Sequence, residues 1–141
     1  MIYDFMIRGK VAAAVFVNEK DELLLYLRDN KSSIPYPNFW ALLGGHVEEN
    51  ESLLDALKRE IKEEIEYEFE EKPIFLGTLD DNVGNDVYVY RIKINKKINE
   101  LKLNEGQILG FFDFEDVLKL KIPSVLKKFI LEKKEKILKK C

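Results

Sequence analysis

The sequence predicts an α/β (α+β) fold, a sandwich in which helices flank a central mixed β-sheet. Short apolar or alternating segments recur between turn residues, which is typical of strands. Two longer segments, one central and one C-terminal, repeat apolar residues at three- and four-residue spacing, which is typical of helices. With 141 residues, the chain suits a single domain, residues 1–141.

The strands are expected in four regions. KVAAAVFVNEKDELLLYLRD, residues 10–29, predicts two strands around a polar turn at residues 18–21. Pro35 and Pro37 then disfavour both helix and central strand, and residues 40–43 form a short apolar piece. KPIFLGTLD and NDVYVYRIKIN predict two strands around a turn at residues 80–85, and QILGFFDF predicts another.

The central helix is expected from Glu51 to about Ile65, where leucines and isoleucines recur with helical spacing. FEDVLKL predicts a short helix, and Ser124 is a candidate N-cap of a last helix that runs to about Leu138. The last helix is rich in lysine. We interpret it as an amphipathic helix docked on the sheet with a solvated basic face, in preference to a phosphate- or RNA-binding element.

Composition excludes several classes of protein. The net charge of −3 argues against general attraction to nucleic acid, so no nucleic-acid partner is expected. Cys141 is the only cysteine, which rules out an intramolecular disulfide and a cysteine-based zinc site and favours a reducing, cytoplasmic setting. The sequence has neither the apolar run of about 18 residues that a membrane span needs nor a signal-peptide pattern.

The central helix concentrates carboxylates. Glu60, Glu63 and Glu64 fall within an arc of about 100° beside its apolar stripe. Like charges at this spacing destabilise an isolated helix by a few tenths of a kcal/mol per pair, so something must offset them. Hard divalent cations such as Mg²⁺ and Mn²⁺ would do so, and so would local neutralisation by Arg59 and the neighbouring lysines. The charge pattern alone leaves both interpretations open.

The spacing of these residues resembles the Nudix box, G-x5-E-x7-R-E-U-x-E-E-x-G-U, where U is a bulky apolar residue. The matching positions are Gly45, Glu51, Arg59, Glu60, Ile61, Glu63, Glu64 and Tyr67. Glu66 stands in place of the second glycine. Glutamate there would either adopt the left-handed conformation at a cost of about 1 kcal/mol or let the helix run slightly longer. NEGQILGFFDFEDV also resembles the MutT-type segment that supplies a further glutamate, here Glu105.

The resemblance covers about residues 10–120 and implies a Nudix-type α/β/α sandwich. It further implies metal-dependent hydrolysis of a pyrophosphate bond in a nucleoside diphosphate linked to another moiety, with Mg²⁺ or Mn²⁺ as cofactor. Glu60 and Glu64 would be metal ligands, Glu63 a ligand or the holder of a coordinated water, and the Gly44 carbonyl and Glu105 further ligands. Arg59 would orient a glutamate with the help of Glu51. The general base is either Glu60 or Glu105.

The substrate-binding residues are predicted less directly. Arg28 could meet phosphates, and Tyr36, Phe39 or Trp40 could stack on a base. A nucleoside triphosphate, a deoxynucleoside triphosphate or a nucleotide sugar is the expected substrate, acted on by a monomer or homodimer. The alternatives are a dinucleoside polyphosphate hydrolase and a nucleotide-binding regulator that keeps the Nudix fold. Oxidised-guanine specificity is disfavoured, because LKLKIPSVLKK lacks the asparagine that such MutT-type enzymes use.

Overall fold

The computed structural model describes residues 8–138, which form a seven-stranded sheet and four α-helices. The strands are β1 (Gly9–Val17), β2 (Leu23–Leu27), β3 (Trp40–Ala41), β4 (Leu43–His46), β5 (Ile74–Asp80), β6 (Asn85–Lys93) and β7 (Ile108–Phe112). The helices are α1 (Leu53–Ile65), α2 (Phe114–Val117), α3 (Ser124–Glu132) and α4 (Lys134–Ile137), and a 3-10 turn spans Ile98–Glu100. No helix in this part of the chain is long and apolar enough to cross a bilayer.

The sheet is mixed, as predicted. Its strand order is β3-β2-β1-β6-β5, with β4 also paired to β1 and β7 to β2. β1 and β6 run parallel from the pair Gly9–Asn85 to the pair Val17–Lys93, whereas every other pairing is antiparallel. β1 is buried continuously from Ala12 to Val17, which is the pattern of a strand covered on both faces.

Two hydrophobic clusters cover the two faces of the sheet. α1 packs on one face, where Leu57, Ile61 and Ile65 contact a cluster that includes Phe16 and Leu43. The other face is covered by α2, α3 and α4, whose buried residues are Phe114, Val117, Leu126, Phe129, Ile130 and Ile137. The predicted α/β/α sandwich is therefore confirmed.

α1 begins and ends as its sequence dictates. Ser52 is the N-cap, and its hydroxyl accepts a hydrogen bond from the Asp55 N–H at 3.1 Å. The helix ends at Glu66, which adopts the left-handed conformation (φ 52°, ψ 42°), the first of the two outcomes expected for a glutamate at this position. The position therefore keeps the backbone geometry that favours glycine.

The C-terminal helix differs from the prediction in two respects. Pro123 is the N-cap and Ser124 is the first helical residue, with no side-chain capping bond. The helix also divides at Lys133, whose N–H donates to the Phe129 and Leu131 carbonyls, so that α3 and the short α4 replace one continuous helix. Lys139, Lys140 and Cys141 lie outside the described residues.

Candidate active site

One cavity of about 410 Å³ contains most of the predicted site. Glu60 and Glu64 reach it from α1, Glu105 from the loop before β7, and Gly44 and Gly45 from β4. β4 contacts α1 and pairs with β1, so the helix that carries the carboxylates rests directly on the glycines. The structure thus brings together residues that lie up to 61 positions apart in the sequence.

Neighbouring atoms approach Gly44 and Gly45 so closely that neither position has room for a side chain. Gly44 has a φ of +149°, and a Cβ there would collide with the backbone of Ala12 and Ala13. A Cβ on Gly45 would instead collide with the carboxyl group of Glu60. Any side chain at these positions would therefore displace either the β1 pairing or the glutamate.

Glu64 is the most buried carboxyl group of the site, with 4% of its surface exposed. Burial raises the pKa of Glu64 to about 10, with a further contribution from its hydrogen bond to Glu105. The Gly44 N–H donates to Glu64 Oε1 at 2.9 Å and partly opposes this rise in pKa. Burial also raises the pKa of Glu60, although the hydrogen bond from Arg59 opposes this rise.

Arg59 connects the loop after β4 with α1. Its Nε and Nη2 donate to the two carboxylate oxygens of Glu51 at 2.8 and 2.9 Å. Its Nη1 donates to Glu60 Oε1 at 2.8 Å, and Nη2 also donates to the His46 carbonyl at 3.0 Å. The hydrogen bond to Arg59 lowers the pKa of Glu51 to about 2. Arg59 therefore fixes Glu60 without itself lining the cavity.

Glu63 lies apart from the other box glutamates. Its side chain is 59% exposed and is 3.6 Å from Arg59 Nη1, and it does not line the cavity. The structure therefore places Glu63 outside the cavity lining, whereas Glu60, Glu64 and Glu105 belong to it.

Some of the predicted substrate-binding residues line the cavity and others do not. Arg28 and Tyr36 line the cavity, and Phe39 does not. Arg28 donates to the Tyr26 hydroxyl at 3.1 Å and to the Pro35 carbonyl at 3.0 Å. Phe39 packs edge-to-face against Tyr36, with ring centroids 5.4 Å apart, and the Lys121 ammonium lies 4.5 Å from the Phe39 ring centroid. Trp40 contacts Phe112 and the core on the α3 side of the sheet.

The donor set suits a hard cation, although the side chains are not arranged as a ready-made metal site. Within residues 8–138, no three or more His, Cys, Asp or Glu residues are grouped as they would be around an ion. Glu64 bonds to Glu105 and Gly44, and Glu60 bonds to Arg59. Carboxylate oxygens whose pKa values are raised by burial are the groups that a divalent cation would stabilise in their ionised form.

A sequence model of the family described as NUDIX domain matches residues 7–132. The chain belongs to the Nudix family. Over 54 residues, this Nudix chain is 44% identical to the m7GpppN-mRNA hydrolase NUDT17 of Xenopus laevis, a match that covers 38% of the chain and 18% of that relative. The chain thus spans under a fifth of the length of the curated relatives it matches.

Solved structures share the Nudix fold over most of the chain. A MutT protein from Methanosarcina mazei Go1 superposes with a TM-score of 0.75 at 23% identity, covering 91% of this chain and 94% of that one. A C. elegans Ap4A hydrolase superposes with a TM-score of 0.68 at 22% identity, covering 86% and 93% of the two chains. At these identities the likeness establishes the fold.

Several Nudix-domain residues at the cavity were not predicted from the sequence. Tyr26 is buried on β2 beside the carboxylates, and its burial raises its pKa to about 12. His46, the last residue of β4, lines the cavity with Asp81 and Asn85. Asn104 does not itself line the cavity, but it binds the last turn of α1 directly before Glu105, which does. Their only sequence signals were the alternation of β2 and the position of turn residues, because the contacts that define them span distant parts of the chain.

Proposed function

We propose that this Nudix protein hydrolyses a pyrophosphate bond in a nucleoside diphosphate linked to another moiety. Nucleoside triphosphates, deoxynucleoside triphosphates and nucleotide sugars are the preferred substrate classes. The observation that carries the proposal is the convergence of Glu60, Glu64 and Glu105 on a cavity that also has an apolar wall. Such a cavity can accommodate both the charged and the apolar part of a nucleotide.

The carboxylates would repel a polyanionic substrate unless a cation were present. Mg²⁺ or Mn²⁺, held by Glu60, Glu64, Glu105 and the Gly44 carbonyl, would neutralise phosphate charge and lower the pKa of water. Glu63 would hold a water at the edge of this site. The raised pKa values of Glu60 and Glu64 support the assignment, since burial disfavours the ionised carboxylates and a bound divalent cation would stabilise them.

The remaining residues bind and orient the reactants. Glu60 or Glu105 would accept the proton of the attacking water, and Arg59 keeps Glu60 in place through the 2.8 Å bond. Arg28 would meet a phosphate, because it is the only arginine or lysine among the described residues that line the cavity. Tyr36 would contact the base, and Phe39 would support the Tyr36 ring.

The test is a substrate panel assayed with and without Mg²⁺. It contains nucleoside triphosphates, nucleotide sugars and dinucleoside polyphosphates, and compares wild type with Glu64→Gln. We expect Mg²⁺-dependent release of phosphate or pyrophosphate products, and a loss of about 100-fold or more in kcat for Glu64→Gln. The exposed Glu49→Gln serves as the control for removal of an acid.

Equal activity of wild type and Glu64→Gln would contradict the role of Glu64. Nucleotide binding without hydrolysis across the panel would favour the regulator instead. A strong preference for dinucleoside polyphosphates would select the alternative hydrolase.

A further inference from the structure

Glu66 stands where the Nudix box has its second glycine, and its side chain makes contacts that glycine could not make. Glu66 Oε2 accepts a hydrogen bond from Asn104 Nδ2 at 2.9 Å and lies 3.5 Å from Lys102 Nζ. Both partners belong to the segment that leads to Glu105. We propose that Glu66 is a positioning residue, which acts through Asn104 to hold the loop that carries Glu105.

Asn104 is bound to the end of α1 by three hydrogen bonds. Its backbone N–H donates to the Glu64 carbonyl at 2.7 Å, and its Nδ2 donates to the Glu63 carbonyl at 3.1 Å as well as to Glu66. The last carbonyls of a helix lack partners within the helix, so Asn104 satisfies acceptors that the left-handed turn at Glu66 leaves open. The Glu66 carboxylate orients the Asn104 amide for both side-chain bonds.

The hydrogen bonds of Asn104 to α1 form a first anchor of the loop, and Glu105 lies between this anchor and a second one. On its other side, the Gln107 N–H donates to the Leu27 carbonyl at 2.8 Å, and Gln107 Nε2 donates to the Arg28 carbonyl at 2.7 Å. The loop is thus attached to α1 before Glu105 and to β2 after it. Loss of the first anchor would leave Glu105 firmly attached on one side only and would loosen its position beside Glu64 in the cavity.

A role limited to ending the helix makes a different prediction. Glycine is the residue most compatible with the left-handed conformation, so Glu66→Gly would end α1 at least as well as glutamate does. If Glu66 served only the backbone, this substitution would leave turnover unchanged. Because the proposed contact is a side-chain hydrogen bond, Glu66→Gln would preserve it, as the amide oxygen can still accept from Asn104.

The inference rests on the proposed function of Glu105, so the experiment combines a kinetic with a non-kinetic measurement. Wild type, Glu66→Gly and Glu66→Gln are compared, with the exposed Glu68→Gln, whose side chain lies 3.3 Å from Lys62, as control. In Glu66→Gly we expect kcat to fall by about 10- to 100-fold with KM within about twofold of wild type and no loss of thermal stability. Glu66→Gln and Glu68→Gln should retain kcat within about threefold.

The non-kinetic measurement is amide hydrogen exchange at Asn104, whose N–H is protected by the Glu64 carbonyl. Exchange should accelerate by about tenfold or more in Glu66→Gly and remain near wild type in Glu66→Gln. Asn104→Ala removes both side-chain bonds and should reduce kcat at least as much as Glu66→Gly does. The double variant should lose no more than Asn104→Ala alone, because Glu66 acts through the Asn104 amide.

The outcomes separate the two proposals. If wild type hydrolyses nucleotides but Glu66→Gly keeps both its kcat and its exchange rate, the positioning role is wrong and the proposed function stands. If wild type hydrolyses nothing in the panel, the proposed function fails. In that case, faster exchange of the Asn104 amide in Glu66→Gly, but not in Glu66→Gln, would still support the positioning of the loop by Glu66.

Discussion

Among single residues, Arg59 shows how one position of the Nudix box acts on its neighbours. Its guanidinium bonds to Glu51, to Glu60 and to the His46 carbonyl, which belong to the loop, the helix and the glycine strand. The planar fork suits this task because it can donate in several directions while remaining charged. Arg59 thereby ties the glycine turn to the carboxylate helix, and lysine could not reproduce the same set of contacts.

The Glu51–Arg59 pair gives a pH-dependent contribution to stability. The pKa of Glu51 is lowered from its ordinary value of 4.5 to about 2 in the folded protein. Stability from this pair is therefore present above pH 4.5 and is lost as the pH falls towards 2. We expect wild type to melt at a higher temperature than Glu51→Gln at pH 7, and the difference to shrink steadily between pH 4.5 and 2. Thermal denaturation followed by circular dichroism measures this.

The matched control is Glu49→Gln, which removes an exposed acid from the same loop. Its melting temperature should differ little from that of wild type across the pH range. If the difference in melting temperature between wild type and Glu51→Gln stayed constant down to pH 2, the Glu51 side chain would stabilise the fold by packing and not by its charge.

At the scale of elements, α1 illustrates what the sequence can and cannot predict. The spacing of leucines and isoleucines predicted the end of α1 at about Ile65, but the helix begins at Leu53, two residues after the predicted start at Glu51. The left-handed turn at Glu66 was one of two outcomes anticipated from the missing glycine. The bonds from Asn104 to Glu63, Glu64 and Glu66 could not be anticipated, because nothing local in the sequence indicates that residue 104 lies beside this helix end.

Two serines at helix starts, Ser52 and Ser124, provide a direct comparison of capping. Ser52 caps α1 through its bond from Asp55, whereas Ser124 makes no capping bond because Pro123 occupies the cap position of α3. We expect Ser52→Ala to lower the free energy of unfolding by about 1 kcal/mol and Ser124→Ala by a few tenths at most. Denaturant unfolding at equilibrium measures both. Equal losses would contradict the assigned caps.

Ser124 also shows why the last helix was predicted incompletely. A serine before an apolar periodic segment is a valid start signal, but proline has its φ already fixed near the required value and precedes the serine here. The division at Lys133 has no comparable signal, since no glycine or proline marks it. Helix periodicity therefore identified the buried face, and the ends depended on contacts beyond the pattern.

For the molecule as a whole, residues from both faces of the sheet line one cavity. The carboxylates of α1 come from one side, and an apolar wall comes from the core of the other side, formed by Val11, Ala13, Leu42, Leu79, Val87 and Leu126. Polar side chains near this wall already have partners: Tyr36 donates to the Asp81 carbonyl at 2.8 Å, and Asn85 donates to the Asp81 carboxylate at 2.7 Å. These groups are therefore engaged within the protein and are poorly placed to distinguish the edges of different bases.

This arrangement predicts weak selection among bases. Apolar pockets discriminate related groups by about 10- to 200-fold, whereas sites built around hydrogen bonds to the substrate reach far larger ratios. Under the proposed function, kcat/KM for the adenine, guanine, cytosine and uracil nucleoside triphosphates should agree within about tenfold. Steady-state assays of the four substrates measure these ratios. A preference above about 200-fold for one base would contradict the expectation, because an apolar wall alone does not discriminate so strongly.

Truncation of a side chain in the apolar wall should weaken the binding of all four nucleotides alike. Val125 lines the cavity at the start of α3, and Val125→Ala removes apolar surface, so KM should rise about three- to tenfold for each nucleotide with kcat little changed. Leu131→Ala is the matched control, because Leu131 lies on the same helix, is 49% exposed and does not line the cavity. A rise confined to one base would mean that Val125 contributes to base recognition, whereas an equal rise in both variants would place the effect in helix packing and not in contact with substrate.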